Sequence, residues 1–277
     1  MKKIRENYYD IAISDFDGTI FSSRIGIPEK VLNAINKFVA AGGIFCVCTG
    51  RMSSSILKFY EHYGFAGYAI GFNGAEICNA DTGEKIYKKH VDNSTCIKLL
   101  RYAEVNSKRV QVYPNDVLTV NGLNDDYRAY AKRCHVDICD VNGPVSDLFI
   151  EKKYTSGKVL FYTDNNSRAQ MLNDIKNIVK KDYEVICSNP EHIDVMAKGV
   201  SKGNAVLRLC NILGKGTDRL MCLGDEKNDA SMIQVAGLGI ATQNGNDELK
   251  AIADIIVPSC EEGGAAIAFE KYGVYLK

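Results

Sequence analysis

Short apolar runs alternate with helix-period stretches through the first third of the chain. Ile11-Ala12-Ile13 marks a strand at about residues 10–15. A helix follows from Pro28 to Ala41, with proline at an N1-like place, and Gly42-Gly43 ends it. Ile44-Phe45-Cys46-Val47-Cys48 reads as the next strand, Ser53–Tyr63 as a helix, and Tyr68-Ala69-Ile70-Gly71-Phe72 as a strand. The last third resumes the pattern. Helix Lys202–Leu213 leads to strand Leu220–Leu223, a helix from about Asn228, and strand Gly239-Ile240-Ala241. A helix near Glu248–Ala253 and strand Ile255-Ile256-Val257 follow. Such alternation predicts an α/β fold, a doubly wound parallel sheet with helices on both faces.

The middle reads differently. Asp81-Thr82-Gly83-Glu84 is a turn between two short strands, and a helix near Ser94–Asn106 precedes strands at Val110–Tyr113 and Val117–Val120. Helices at Asp125–Arg133 and Ser167–Lys180 flank a strand at Lys158–Tyr162, with further strands around Val185–Cys187 and His192–Met196. This is the pattern of an α+β module inserted into the parallel domain. The expected division is a core of residues 1–79 and 200–277 and an insert of residues 80–199.

Several predicted strands end in chemically loaded sequences. The first closes on Asp15-Phe16-Asp17-Gly18-Thr19, two carboxylates at a spacing that points both to one side of an extended chain. The second ends in Thr49-Gly50-Arg51, and the Leu220–Leu223 strand ends in Gly224-Asp225-Glu226-Lys227-Asn228-Asp229. Gly199-Val200-Ser201-Lys202-Gly203 opens a helical stretch, and Phe72-Asn73-Gly74-Ala75 lies between. Ligands of an open parallel sheet bind outside the carboxyl ends of the strands, so the fold alone would gather Asp15, Thr49 and Asp225. Taken singly, each piece has an ordinary reading. The Asp pair, Thr49 and the Asp225 loop also serve as N-caps or turns, Ser201-Lys202-Gly203 as a helix start, and Asn73-Gly74 as a turn.

In this order the pieces resemble the haloacid dehalogenase superfamily over nearly the whole chain, and within it the Cof-type phosphatases. Those carry Asp-x-Asp-Gly-Thr, Thr-Gly-Arg, Asn-Gly-Ala, Ser-Lys-Gly and Gly-Asp-x-x-Asn-Asp. The resemblance implies a Rossmann-like core with an inserted cap that selects substrate. It implies Mg²⁺-dependent hydrolysis of small phosphorylated metabolites, sugar phosphates or phosphorylated cofactors, through an aspartyl-phosphate. Asp15 would be the nucleophile and Asp17 the general acid–base, with Thr49 and Gly50 on the phosphate and Lys202 neutralising Asp15 and the transferred group. The metal ligands would be Asp15, Asp225 and the carbonyl of Asp17, with Asn228 and Asp229 orienting Lys202 and the metal's waters. Asn73 and Gly74 would lie against substrate. Two departures stand out: Phe72 replaces a small polar residue, and Glu226 adds negative charge beside Asp225. Tyr113, Asn115, Lys153, Tyr154 and His192 are possible cap contacts that also read as ordinary surface or turn residues.

Three rival readings remain: a phosphomutase of the same superfamily, a receiver-like phospho-aspartate signalling protein, and an idle metabolite-binding protein. A receiver domain has no second aspartate at the place of Asp17 and no need of a hundred-residue insert.

Charge and cysteines narrow the setting. Lys+Arg and Asp+Glu both total 34, with no basic stripe, which argues against a nucleic-acid partner. No apolar stretch approaches the length of a membrane span, and the opening Met1–Asn7 is charged with no apolar h-region after it. Of ten cysteines, Cys46, Cys48, Cys187 and Cys222 sit in apolar strand patterns and Cys210 on a helix, so reduced structural thiols are expected. The expected setting is the cytoplasm, with a small phosphorylated metabolite as the partner. Oligomeric state is not legible.

Overall fold

The structure, a computed structural model, describes residues 4–189 and 191–274. In chain order the opening elements are β1 (Ile11–Ser14), α1 (Glu29–Ala40), β2 (Ile44–Cys48), α2 (Ser53–Tyr63), β3 (Tyr68–Gly71), β4 (Glu76–Asn79) and β5 (Lys85–Lys88). The middle supplies α3 (Asn93–Val105), β6 (Val110–Gln111), β7 (Leu118–Val120), α4 (Asp125–Cys134), β8 (Ile138–Asp140) and α5 (Val145–Lys152). It continues with β9 (Val159–Tyr162), α6 (Arg168–Val179), β10 (Tyr183–Asn189) and β11 (His192–Ala197). The chain then adds α7 (Lys202–Ile212), β12 (Leu220–Gly224), α8 (Ala230–Val235) and β13 (Leu238–Thr242). Last come α9 (Asp247–Ile252), β14 (Ile255–Val257) and α10 (Ala265–Tyr272).

Two compact units result. The first comprises the stretches up to Arg51, Ile56–Ile86, and from Ser201 onward; the second comprises Met52–Ser55 and Tyr87–Val200. An eight-stranded sheet runs β14-β13-β12-β1-β2-β3-β4-β5. Pairings from β14 to β3 are parallel, and β4 joins β3 antiparallel. The six strands from β14 to β3 form the parallel sheet that the alternation predicts, and β4 extends it antiparallel. The five residues between Asn79 and Lys85 make a hairpin of β4 and β5, and so short a connection allows only antiparallel neighbours. The expected boundary at residue 79 also falls inside that hairpin, because β4 and β5 hydrogen-bond into the large sheet.

Strand β1 is buried along its whole length, which is why its sequence is a continuous apolar run rather than an alternation. Phe38, Phe45 and Phe269 fill the layer between the sheet and the packed pair α1 and α10. Each such side chain contributes on the order of 1.5–3 kcal/mol through burial. The second unit has its own core, with Leu99, Phe149, Phe161 and Ile193 packed between α3, α5, α6 and one face of a four-stranded sheet, β10-β11-β9-β6.

All ten cysteines are free thiols. Cys187 is half-buried rather than core, and Cys139 is exposed. No helix among the described residues is long and apolar enough to cross a membrane.

Candidate active site

Strand register assembles the site. Ser14 pairs with Leu223 on one side and Val47 on the other. The next residues of β1, β2 and β12 therefore emerge together at the carboxyl edge: Asp15, Thr49 and Asp225. The Asp15 N–H still bonds the Leu223 carbonyl at 2.9 Å, so the aspartate leaves the sheet with its backbone fixed.

Lys202 reaches the same point from the start of α7. The Ser201 side chain caps that helix by accepting the Asn204 N–H, and Lys202 follows as its first residue. Gly203 lets α7 approach α8, because a Cβ there would stand 2.5 Å from the Ser231 carbonyl oxygen. Lys202 is 1 % exposed, with Nζ 2.5 Å from both Asp15 Oδ1 and Asp229 Oδ1. Burial disfavours its charged form, but Asp15 and Asp229 outweigh that and push its pKa up.

Asp229 has further duties. Its Oδ2 accepts the N–H groups of Asp225 at 3.0 Å and Glu226 at 2.9 Å, holding the loop that carries Asp225. Asp225 Oδ1 accepts the Thr19 hydroxyl at 2.9 Å. Gly18 lies against Asp225 with φ +83°, and a Cβ there would meet Asp225 Oδ2 at 2.1 Å. The glycine of the Asp-x-Asp-Gly-Thr string is thus required by conformation and by space.

Oxygen atoms of Asp15, Asp225 and Asp229 lie within 4.8 Å of one another, all three buried. Three carboxylates against one ammonium leave two negative charges uncompensated, a costly arrangement at this depth. Burial, and then the neighbouring carboxylates against the pull of Lys202, holds the Asp15 carboxyl well above its ordinary range. Burial and the charge of Asp229 push Asp225 up to about 7. Both shifts express a demand for positive charge. With Asp229 committed to Lys202 and two amides, Asp15 Oδ2 and Asp225 Oδ2 accept no hydrogen bond from described residues. Buried anionic oxygens gathered this closely fit a divalent cation.

Asp17 turns elsewhere. Its carboxylate accepts from Arg51 Nε at 2.7 Å and from Arg51 Nη2 at 2.6 Å. Thr49 Oγ1 accepts the Arg51 N–H at 3.2 Å. Asn73, at φ 55°, donates its N–H to the Thr49 carbonyl at 2.9 Å and accepts from Asn228 Nδ2 at 3.1 Å. Asn228 thus braces Asn73, not Lys202 as the sequence suggested. A Cβ on Gly50 would crowd Asn73 Oδ1 at 3.0 Å, and one on Gly74 (φ +107°) would strike the Ser201 carbonyl at 2.5 Å. Phe72 belongs to the interior, fully buried, and Glu226 is exposed, joined to Asp229 in a capping box.

Thr19, Arg51 and Asn244 are contributors that the sequence does not single out. Thr19 and Arg51 lay inside noted motifs. Asn244, whose Nδ2 donates to the Gly18 carbonyl at 2.9 Å and whose Oδ1 accepts the Cys260 N–H at 2.8 Å, carries no local signal.

In the second unit, Tyr113 is buried and its hydroxyl is engaged with Gln111 Nε2 at 2.5 Å and Tyr130 at 3.0 Å, which removes it as an open contact. Asn115 sits in a tight turn, Lys153 at the left-handed end of α5, and Tyr154 packs on Phe149. His192, edge-on to Tyr162 at 4.9 Å, lines a cavity of about 430 Å³ with Arg109, Arg133 and Tyr130.

A family model for haloacid dehalogenase-like hydrolases matches residues 12–269. The Bacillus subtilis (strain 168) 5-amino-6-(5-phospho-D-ribitylamino)uracil phosphatase YcsE is 26% identical over 258 residues, covering 93% of this chain and 93% of the relative. A crystal structure of a haloacid dehalogenase-like hydrolase from Bacteroides thetaiotaomicron superposes with a TM-score of 0.87 at 23% identity, covering 95% of this chain and 98% of that one. The subclass IIB sugar phosphatase BT4131 shares the fold at a TM-score of 0.78 and 21% identity, covering 94% and 98%. With its motifs in Cof-type order and its family matched over nearly its full length, this chain belongs to the haloacid dehalogenase-like hydrolases and is a phosphoric monoester hydrolase.

Proposed function

We propose a Mg²⁺-dependent phosphatase of small phosphorylated metabolites, sugar phosphates or phosphorylated cofactors, working through an aspartyl-phosphate on Asp15. The observation that carries this reading is the buried Asp15–Lys202–Asp229 chain beside Asp225. Lys202 holds the Asp15 carboxylate in place through Oδ1. One oxygen of the Asp15 carboxylate forms a bond to phosphorus as the bond to the leaving oxygen breaks, and Asp17 gives that oxygen its proton. Asp17 then takes a proton from water, whose oxygen attacks phosphorus and restores the Asp15 carboxylate. The Thr49 hydroxyl and Gly50 N–H hold a phosphate oxygen. Mg²⁺ held by Asp15, Asp225 and the Asp17 carbonyl would offset the repulsion between carboxylates and phosphate.

We read the second unit as the cap that selects substrate, His192 being the named candidate that lines its cavity. The phosphoribitylamino-uracil named for YcsE supports a sugar-like phosphorylated substrate. Ten free thiols fit a reducing cytoplasmic setting.

The test is a screen of metabolite monoesters, with p-nitrophenyl phosphate, in Mg²⁺ and in EDTA. Phosphate release abolished by EDTA is expected. Metal-loaded protein that releases none from the panel would overturn the reading, and an isomeric phosphate ester in place of free phosphate would make it a mutase.

A further inference from the structure

We propose that Arg51 is the positioning residue for Asp17, fixing the carboxyl that moves the proton; this rests on the reading of Asp17 given above. The two side chains are unequal. Arg51 is 5 % exposed while Asp17 is 49 % exposed, so the buried partner anchors the open one. The contact is bidentate, Nε to Oδ2 and Nη2 to Oδ1, which sets the plane of the carboxylate as well as its place. One guanidinium edge occupies one lone pair on each oxygen, and each oxygen keeps another for a proton in transit.

The anchor is itself held. Arg51 Cζ lies 5.2 Å from the ring centre of Phe16, 5.6 Å from that of Phe21 and 5.0 Å from that of Phe59. Phe16 and Phe21 stack at 4.7 Å, and Phe59 meets Phe16 at 4.8 Å. Phe16 is the residue between the two catalytic aspartates, so the sequence that places Asp15 and Asp17 also supplies a wall of the cage. A guanidinium so enclosed has little rotamer freedom to lose, and lysine would not reproduce the flat, two-point grip.

A residue that only kept the site folded would depress all substrates alike. One that aims a general acid depresses substrates whose leaving group needs the proton. The readout is kcat/KM, which covers steps through release of the alcohol, compared between the fastest alkyl monoester of the panel and p-nitrophenyl phosphate, whose phenolate leaves without such help. Arg51→Met should lose about 10²-fold on the alkyl ester, within the range of general-acid assistance, and under about 5-fold on the aryl ester. Arg51→Lys, which keeps charge and most of the volume, should show the same ordering with a loss of about 10-fold on the alkyl ester. It also serves as the test variant if the methionine protein does not fold.

Asp17→Asn is the control. If it separates the two leaving groups while folded Arg51 variants lose both equally or lose neither, the inference is wrong and the role of Asp17 stands. If Asp17→Asn fails to separate them, the role of Asp17 falls and the inference falls with it.

Discussion

Asp229→Asn isolates what the Lys202 partnership contributes. The amide is isosteric, and its oxygen can still accept the Asp225 and Glu226 amides now taken by Oδ2 at 3.0 and 2.9 Å. The amide nitrogen must then face Lys202 Nζ, which stands 2.5 Å from Oδ1 in the native arrangement. A donor meets a donor, and one of two carboxylates compensating a fully buried ammonium is lost. Breaking a buried pair outright costs about 3–5 kcal/mol. Because Asp15 remains on Lys202, we expect about 2–3 kcal/mol. That should lower the thermal midpoint by roughly 3–5 °C for a chain of this size. Activity should fall as well, by about 10²-fold in kcat, since Lys202 drawn wholly onto Asp15 restrains the nucleophile. Differential scanning calorimetry and steady-state kinetics on the same preparation measure both. A variant with an unshifted midpoint and near-native kcat would refute the electrostatic role of Asp229.

Asp15→Asn should abolish turnover by more than about 10³-fold, since an amide neither attacks phosphorus nor serves well as an anionic ligand; near-native residual rate would show that another residue attacks. Asp225→Ala should raise the half-saturating Mg²⁺ and recover partly at high metal, whereas Lys202→Ala should not recover, because its charge serves the phosphoryl group; Mg²⁺ titration at fixed substrate separates the two. Gly18→Ala would push a methyl into Asp225 Oδ2 at a left-handed φ, so it should weaken metal affinity by at least about 10-fold with a smaller effect on saturated kcat; unchanged metal affinity would show that the close contact relaxes freely.

The large sheet was legible wherever burial made strands apolar throughout, as at β1, β2 and β12, and the register of those strands then fixed where Asp15, Thr49 and Asp225 meet. Legibility failed where the pattern was short or broken. The helix α10 follows Gly263-Gly264 and carries little polar contrast, and β8 spans three residues with a partly exposed pattern. The sequence pattern signals neither of these, nor α5. Within the site, residue types announced the chemistry, but pairings did not follow from spacing. Asn228 bonds Asn73, 155 residues away, and Arg51 grips Asp17, 34 residues away. Such choices depend on three-dimensional distances that no local period encodes.

The central pairing of β1 with β12 has a consequence for how the molecule is made. The contact between Lys202 and Asp15 closes a sequence separation of 187 residues, and that between Thr19 and Asp225 closes 206. During synthesis, β1 can pair with β2 early, but its other edge stays bare until about four fifths of the chain has left the ribosome. That waiting edge is fully apolar, Ile11 to Ile13, the kind of surface that recruits a wrong strand or a chaperone. Long-range closure of this sort is slow to nucleate. Catalytic competence therefore arrives only with closure of the sheet's middle, so recovered phosphatase activity reports this long-range step rather than the early pairing of β1 with β2.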